Sequence, residues 1–340
     1  MVKRSEKLIF LLVVAVCAFF AKTLYPTISG IPPATADQSA QTVTAGSSTI
    51  PLLVLSPLNS TATSSAPFVD SQTGENTPNT IPPQLTTNTD TIFTAFNNQP
   101  IPSFSKEGYL VADLDTGVVL SGSNISTRWP TASLTKWMTA TLVFDNIPTS
   151  TQITITPQMF AADPDEATLV VGDTYSVEDL LHLLLMPSSN VAAEAMADYF
   201  GRAQFMQDMN ERAQEWGMKD TYFDDPSGIS AANQSTPADL LILAQHVYEN
   251  YPEILAITDT PTTTITEVNS GRKLSVASIN DFAGEPNFIG GKTGHTTQAG
   301  GNLLSIFNYE GHPVLIIVLD TVDRFGDTSK LLSWFKNNFH

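Results

Sequence analysis

Ser133-Leu134-Thr135-Lys136 sets a hydroxyl and an amine three residues apart at the mouth of a strongly apolar segment. Residues at this spacing share a helix face, so Lys136 can lie beneath Ser133. Burial makes an ammonium costly and lets such a lysine accept a proton near neutral pH. A serine needs a base of that kind to become a nucleophile, the part histidine plays in the familiar triad. Unpaired amides at the helix N-terminus would face an oxyanion formed at Ser133. A plainer reading stays open on the same residues, with Ser133 only capping and Lys136 only snorkelling. The S-x-x-K spacing recurs at Ser103–Lys106, Ser270–Lys273 and Ser333–Lys336, in a spacer, a turn and a terminal helix. Only Ser133 opens an apolar helix.

Two further groups follow in order. Ser188-Ser189-Asn190 offers a hydroxyl and an amide between two helices, although Ser278-Ile279-Asn280 repeats the pattern. Lys292-Thr293-Gly294 occurs once, after Gly290-Gly291, and reads as a strand edge that a substrate backbone can approach closely. Lysine and threonine there would grip a carboxylate; the alternative is an exposed lysine beside a turn. Other chemistries find little support. His182, His246, His295, His312 and His340 have no metal-ligand spacing, and His182 reads as a core-edge histidine. There is no G-x-S-x-G elbow and no glycine-rich phosphate loop. The single cysteine, Cys17, lies in an N-terminal apolar run, which excludes a thiol nucleophile, a cysteine zinc site and an internal disulfide in the folded part.

The elements that must hold these groups are legible in outline. Tyr109–Leu114 and Val118–Leu120 read as strands around Asp115-Thr116-Gly117. Ser133–Phe144 reads as a buried helix capped by Thr131 or Ser133. Ser176 with Asp179 makes a capping box for a helix through Leu185, stopped by Pro187, and another helix runs from about Val191 to Phe200. Arg202–Trp216 is amphipathic and ends at Gly217, while Ser235-Thr236-Pro237 opens a helix to about Asn250. Asn302–Tyr309 and Pro313–Leu319 flank the hairpin turn Glu310-Gly311, and a last helix covers Thr328 to about Asn337. Strands at both ends with helices between them predict an α+β domain: an antiparallel sheet built from both termini, with a helical cluster packed against it.

The chain has 340 residues, with 16 basic and 34 acidic side chains. A charge near −18 argues against a nucleic-acid surface or an anionic-membrane surface. Lys3, Arg4 and Lys7 precede the apolar run Leu8–Ala21, closed by Lys22. Residues 1–22 are therefore expected to be a signal peptide or an N-terminal membrane anchor, with everything downstream exported. Residues 23–105, rich in Thr, Ser and Pro, read as a disordered spacer in which Ile92-Phe93 is an isolated apolar island. Residues 106–340 form the expected catalytic domain.

In their order, Ser133-x-x-Lys136, Ser188-x-Asn190 and Lys292-Thr293-Gly294 resemble the three active-site motifs of penicillin-binding proteins and serine β-lactamases. Pro130 to Ala140, Asp225-Pro226-Ser227-Gly228-Ile229, Lys292–Thr296 with Ala299-Gly300, and Arg324–Asp327 resemble more narrowly the low-molecular-mass D-alanyl-D-alanine carboxypeptidases, peptidase family S11. The likeness covers about residues 106–340. It implies a β-lactamase/transpeptidase-like fold and a penicillin-sensitive enzyme acting on peptidoglycan stem peptides that end in D-Ala-D-Ala. It also implies roles. Ser133 would attack the penultimate D-alanine carbonyl, with Lys136 as base, and Ser188 would relay a proton to the leaving D-alanine, helped by Lys292. Asn190 would hold the peptide, and Lys292 and Thr293 its carboxylate, with Arg324 a further candidate. Gly294 would leave room beside the strand, and the amides of Ser133 and His295 would form the oxyanion hole. No metal or other cofactor is implied. β-Lactams would be covalent inhibitors, and the membrane would be met only through the N-terminal segment.

Two departures from the family pattern stand out: Ser189 occupies a position that is glycine in many relatives, and the C-terminal β-rich domain of several relatives is not represented before His340. Two rival readings remain. A class A-like β-lactamase would need an E-x-x-x-N loop, and 191–291 holds no convincing one. A non-catalytic envelope protein could bind wall peptides with the same fold, but would not need a nucleophile with its base.

Overall fold

The computed structural model describes residues 92–103, 108–161, 163 and 168–340. The expected signal or anchor and the spacer as far as residue 91 lie outside the described residues. The strands are β1 (Gly108–Asp113), β2 (Val119–Ser123), β3 (Trp129–Pro130), β4 (Gln152–Thr154), β5 (Thr174–Ser176), β6 (Gln234–Ser235), β7 (Thr262–Thr266), β8 (Lys273–Ala277), β9 (Phe288–Thr296), β10 (Gly300–Tyr309) and β11 (His312–Thr321). The α-helices are α1 (Lys136–Asn146), α2 (Val177–Leu185), α3 (Asn190–Phe200), α4 (Arg202–Glu215), α5 (Pro237–Asn250), α6 (Pro252–Asp259) and α7 (Arg324–Asn338).

Five strands pair in the order β2-β1-β11-β10-β9, all antiparallel, so the two ends of the domain share one sheet. The apolar runs of β10 and β11 are nearly continuous because both faces are covered. Alternation sorts them: Leu110, Ala112, Leu304, Ile306, Leu315 and Ile317 pack on the helical cluster. Tyr109, Val111, Leu303, Val314, Ile316 and Val318 pack on the other side with Leu331 and Phe335 of α7. The α+β layout is the expected one.

Local signals set several helix starts. Ser176 Oγ accepts from Asp179 N at 3.1 Å, and Thr236 Oγ1 accepts from Asp239 N at 3.0 Å with Pro237 behind it. Three expectations need correction. Neither Thr131 nor Ser133 caps the nucleophile helix: Ala132–Thr135 is a 3-10 turn leading into α1, and Thr131 Oγ1 meets Thr135 Oγ1 and Asn233 O instead. The last helix starts at Arg324, four residues early, because Asp323 accepts from Gly326 N and serves as its cap. The Ile92-Phe93 island is part of a core: Phe93 is buried against Tyr309 and Phe335. Its neighbours pair with the chain end, Thr94 N with His340 O at 2.8 Å and Phe96 N with Asn338 O at 2.9 Å. The spacer reading therefore does not extend over 92–103.

Candidate active site

The 3-10 turn decides the geometry of the nucleophile. At three residues per turn, side chains at i and i+3 eclipse one another, which sets Lys136 directly under Ser133. Lys136 is fully buried, and its Nζ lies 3.0 Å from Ser133 Oγ, 2.7 Å from Asn190 Oδ1 and 2.6 Å from Ser227 O. Two of these partners, an amide oxygen and a backbone carbonyl, only accept. Of these three, Ser133 Oγ alone can also donate. In the neutral amine the two N–H bonds are consumed by Asn190 and Ser227, so the lone pair is left facing the serine hydroxyl. The arrangement is that of a base addressed to one proton.

Asn190 stands in the first turn of α3, whose cap is Ser189, Oγ accepting from Ala192 N at 3.1 Å. Its orientation is fixed from the far side: Nδ2 donates to Asp163 Oδ2 at 3.0 Å, leaving Oδ1 for Lys136. Ser188 adopts φ +68°, an uncommon conformation for a residue with a side chain. Its Oγ accepts from Lys292 Nζ at 2.8 Å.

Lys292 and its neighbours come from β9, the outer strand of the five-stranded sheet. The expected strand edge is what the structure shows, with Gly290 and Gly291 inside the strand rather than before it. Burial pushes the Lys292 ammonium well below its ordinary pKa, and the nearby positive charges of Lys136 and Arg324 push it the same way. Its Nζ also donates to Thr293 O at 3.0 Å. Thr293 is buried beside it, and His295 is exposed one residue past Gly294. A Cβ on Gly294 would stand 3.0 Å from Thr131 O and 3.2 Å from both Ala132 Cβ and Ser133 N. Only a residue without a side chain lets β9 lie this close to the nucleophile turn.

Arg324 Nη1 donates to Gly294 O at 3.3 Å, and its guanidinium carbon lies 5.1 Å from the Phe325 ring centre. Partial burial lowers its pKa, opposed by Asp281. A cleft of about 470 Å³ beside it is lined by His295, Gly301, Thr321 and Arg324.

All nine residues singled out in sequence therefore converge on one end of the sheet. The other copies that lie wholly within the described residues do not. Ser270 bonds to Glu267, Ser333 and Lys336 are exposed on α7, and Asn280 Oδ1 accepts from Phe282 N. Sequence reading missed Asp163 and the Ser227 carbonyl. A lone aspartate 27 residues before its partner, and a main-chain oxygen, carry no spacing signal.

The family model for peptidase S11, D-alanyl-D-alanine carboxypeptidase, matches residues 94–323. A D-alanyl-D-alanine endopeptidase of Pseudomonas aeruginosa is 32% identical over 238 residues, covering 67% of this chain and 76% of that protein. D-alanyl-D-alanine carboxypeptidase DacD of Escherichia coli is 32% identical over 72% of this chain and 66% of its own length. The chain thus spans about two thirds to three quarters of these relatives. Among solved structures, penicillin-binding protein D2 of Listeria monocytogenes in its ampicillin-bound form superposes with TM-score 0.59 at 31% identity, over 69% of this chain and 98% of that one.

Proposed function

The chain belongs to the peptidase S11 family of D-alanyl-D-alanine carboxypeptidases, and from that premise we propose how its own residues perform the reaction. The substrate is a peptidoglycan stem peptide ending in D-Ala-D-Ala. Ser133 Oγ attacks the carbonyl of the penultimate D-alanine while its proton passes to Lys136 Nζ. The oxyanion is received by the amides of Ser133 and His295. Lys292, Thr293 and Arg324 hold the terminal carboxylate, and Asn190 the peptide's amide side. Collapse of the tetrahedral intermediate breaks the peptide bond. Ser188 gives the departing D-alanine amine a proton and is resupplied through Lys292. Water then attacks the ester on Ser133, its proton passing by way of Ser188 to the Lys292 amine left neutral by the first half. Lys136 gives its proton to Ser133 Oγ as the ester bond breaks, so both lysines return to their starting states. A β-lactam follows the first half of this course and stays attached.

The observation that carries this reading is the buried Lys136 amine, with two obligate acceptors and one hydroxyl within reach. The expected export pattern of residues 1–22 supports a site of action outside the cytoplasm, where such peptides occur, with the N-terminal segment as the membrane contact. The test is direct: purified full-length protein should release D-alanine from a synthetic peptide ending in D-Ala-D-Ala, and Ser133→Ala should abolish release. Release undiminished in that variant would reject the assignment. Cleavage within cross-linked peptides, without D-alanine release from free ends, would instead favour the endopeptidase activity named in the Pseudomonas relative.

A further inference from the structure

Asp225-Pro226-Ser227-Gly228-Ile229 has no part in the chemistry above, yet its loop supplies a carbonyl that accepts from Lys136 Nζ. The Asp225 carboxylate is almost fully buried and, among the described residues, no lysine or arginine forms a salt bridge with it, the charge of Arg202 acting on it without one. It gathers the loop itself. Oδ1 accepts from Ser227 N at 2.7 Å, Ser227 Oγ at 2.8 Å, Gly228 N at 2.6 Å and Ile229 N at 3.3 Å, and Oδ2 accepts from Ser230 N at 2.7 Å. Five donors converging on one carboxylate leave the peptide planes of 227–230 little freedom to rotate.

With its amides turned inward to Asp225, the loop sends carbonyls outward to α1. Pro226 O accepts from Thr139 Oγ1 at 2.6 Å, and Ser227 O accepts from Lys136 Nζ at 2.6 Å, one helical turn apart. The loop is locked at its far end too: Asn233 Nδ2 donates to Asp225 O at 3.0 Å, and Thr131 N donates to Asn233 O at 2.9 Å. Gly228, at φ +84°, lies so close that a Cβ there would meet Ala132 O at 1.9 Å.

From these contacts we infer that Asp225 is a positioning residue for acylation: it holds the Ser227 carbonyl on Lys136, and so keeps the lysine lone pair directed at Ser133. The inference rests on the reading of Lys136 as the base. It separates Asp225 from groups that hold the substrate, because the loop carbonyls of Pro226 and Ser227 are hydrogen-bonded to Thr139 and Lys136 of α1.

The test compares Asp225→Asn and Asp225→Ala in the full-length protein. The readouts are kcat and KM for D-alanine release, the benzylpenicillin acylation rate and the melting temperature. Asparagine keeps an oxygen at Oδ1, where four of the five donors converge, so it should remain within about 3-fold of the unaltered protein. Alanine should lower kcat and the acylation rate about 30-fold with KM nearly unchanged. Should the alanine variant not fold, Ser227→Ala, which removes one donor and leaves every backbone group, carries the same expectation at about 3- to 10-fold. A folded Asp225→Ala or Ser227→Ala protein with unaltered kcat and acylation overturns the inference. So does a loss in Asp225→Asn equal to that in alanine, because it would mark the charge and not the loop geometry as what matters. Failure of the unaltered protein to acylate at Ser133 rejects the base reading itself, a result distinguishable from either.

Discussion

Gly294→Ala tests how closely the third motif must lie against the nucleophile. The added Cβ would stand 3.0 Å from Thr131 O and 3.2 Å from Ser133 N and Ala132 Cβ. All three belong to the nucleophile turn or the residue before it, so no flexible side chain can swing away. Relief requires β9 and the turn to part by a few tenths of an ångström. Overpacking of this kind costs about 1–2 kcal/mol, which for a domain of this size lowers the melting temperature by roughly 3–6 °C. The catalytic cost is larger in proportion. A misplacement of about 1 Å can cost 100-fold, so a shift a third as large should slow acylation about 10-fold. Stopped-flow acylation by a chromogenic cephalosporin, beside a melting curve, measures both. Gly311→Ala is the control: it sits at φ +95° with nothing within 4 Å of its Cβ, far from Ser133 in the β10–β11 turn. It should lose about 1 kcal/mol of stability and none of its acylation rate. A folded Gly294→Ala protein that acylates at the unaltered rate would refute the argument that strand and turn are in functional register.

Two further expectations concern buried charge. Lys292 has its pKa lowered by burial, so between that folded value and the ordinary 10.5 the unfolded chain binds more protons, and stability rises with pH. Lys292→Met should flatten that slope on the alkaline side, below pH 10.5, and raise the melting temperature there, while activity falls at least 100-fold; an unchanged slope would contradict the burial argument. Glu267 is held down to about 2 by hydrogen bonds from Ser270, Thr174 and Asn269. Its contribution is complete above the unfolded value of about 4.5 and is lost as pH falls through about 2, so Glu267→Gln should lower the urea midpoint much more at pH 6 than at pH 2.5. Equal losses at both pH values would show that the charge is not what matters.

The site was more legible than the fold around it. Ser133 and Lys136 announce themselves because a polar pair inside an apolar helix needs a reason, and Lys292-Thr293-Gly294 because its glycine and strand-edge setting agree. Ser176, Thr236 and Pro237 mark helix starts through local hydrogen bonds that sequence spacing encodes. The missed features depend on distant partners. Thr131 forgoes capping because Asn233, 102 residues on, takes its hydroxyl. Phe93 looks isolated until α7 closes over it, and the β7–β8 hairpin and α6 are short elements without strong periodicity. The carbonyl of Ser227 shows the limit most plainly. A main-chain oxygen has no letter in the sequence, and only the loop that Asp225 folds puts it on Lys136.

The most direct measurement is peptide mapping of the benzylpenicillin adduct over time in the unaltered protein and in Lys136→Ala. A single adduct is expected, on Ser133, that forms at least about 1,000-fold more slowly, on the order of a lost general base, when the amine is removed. An adduct on another serine, or one that forms on Ser133 as fast without Lys136, would contradict it.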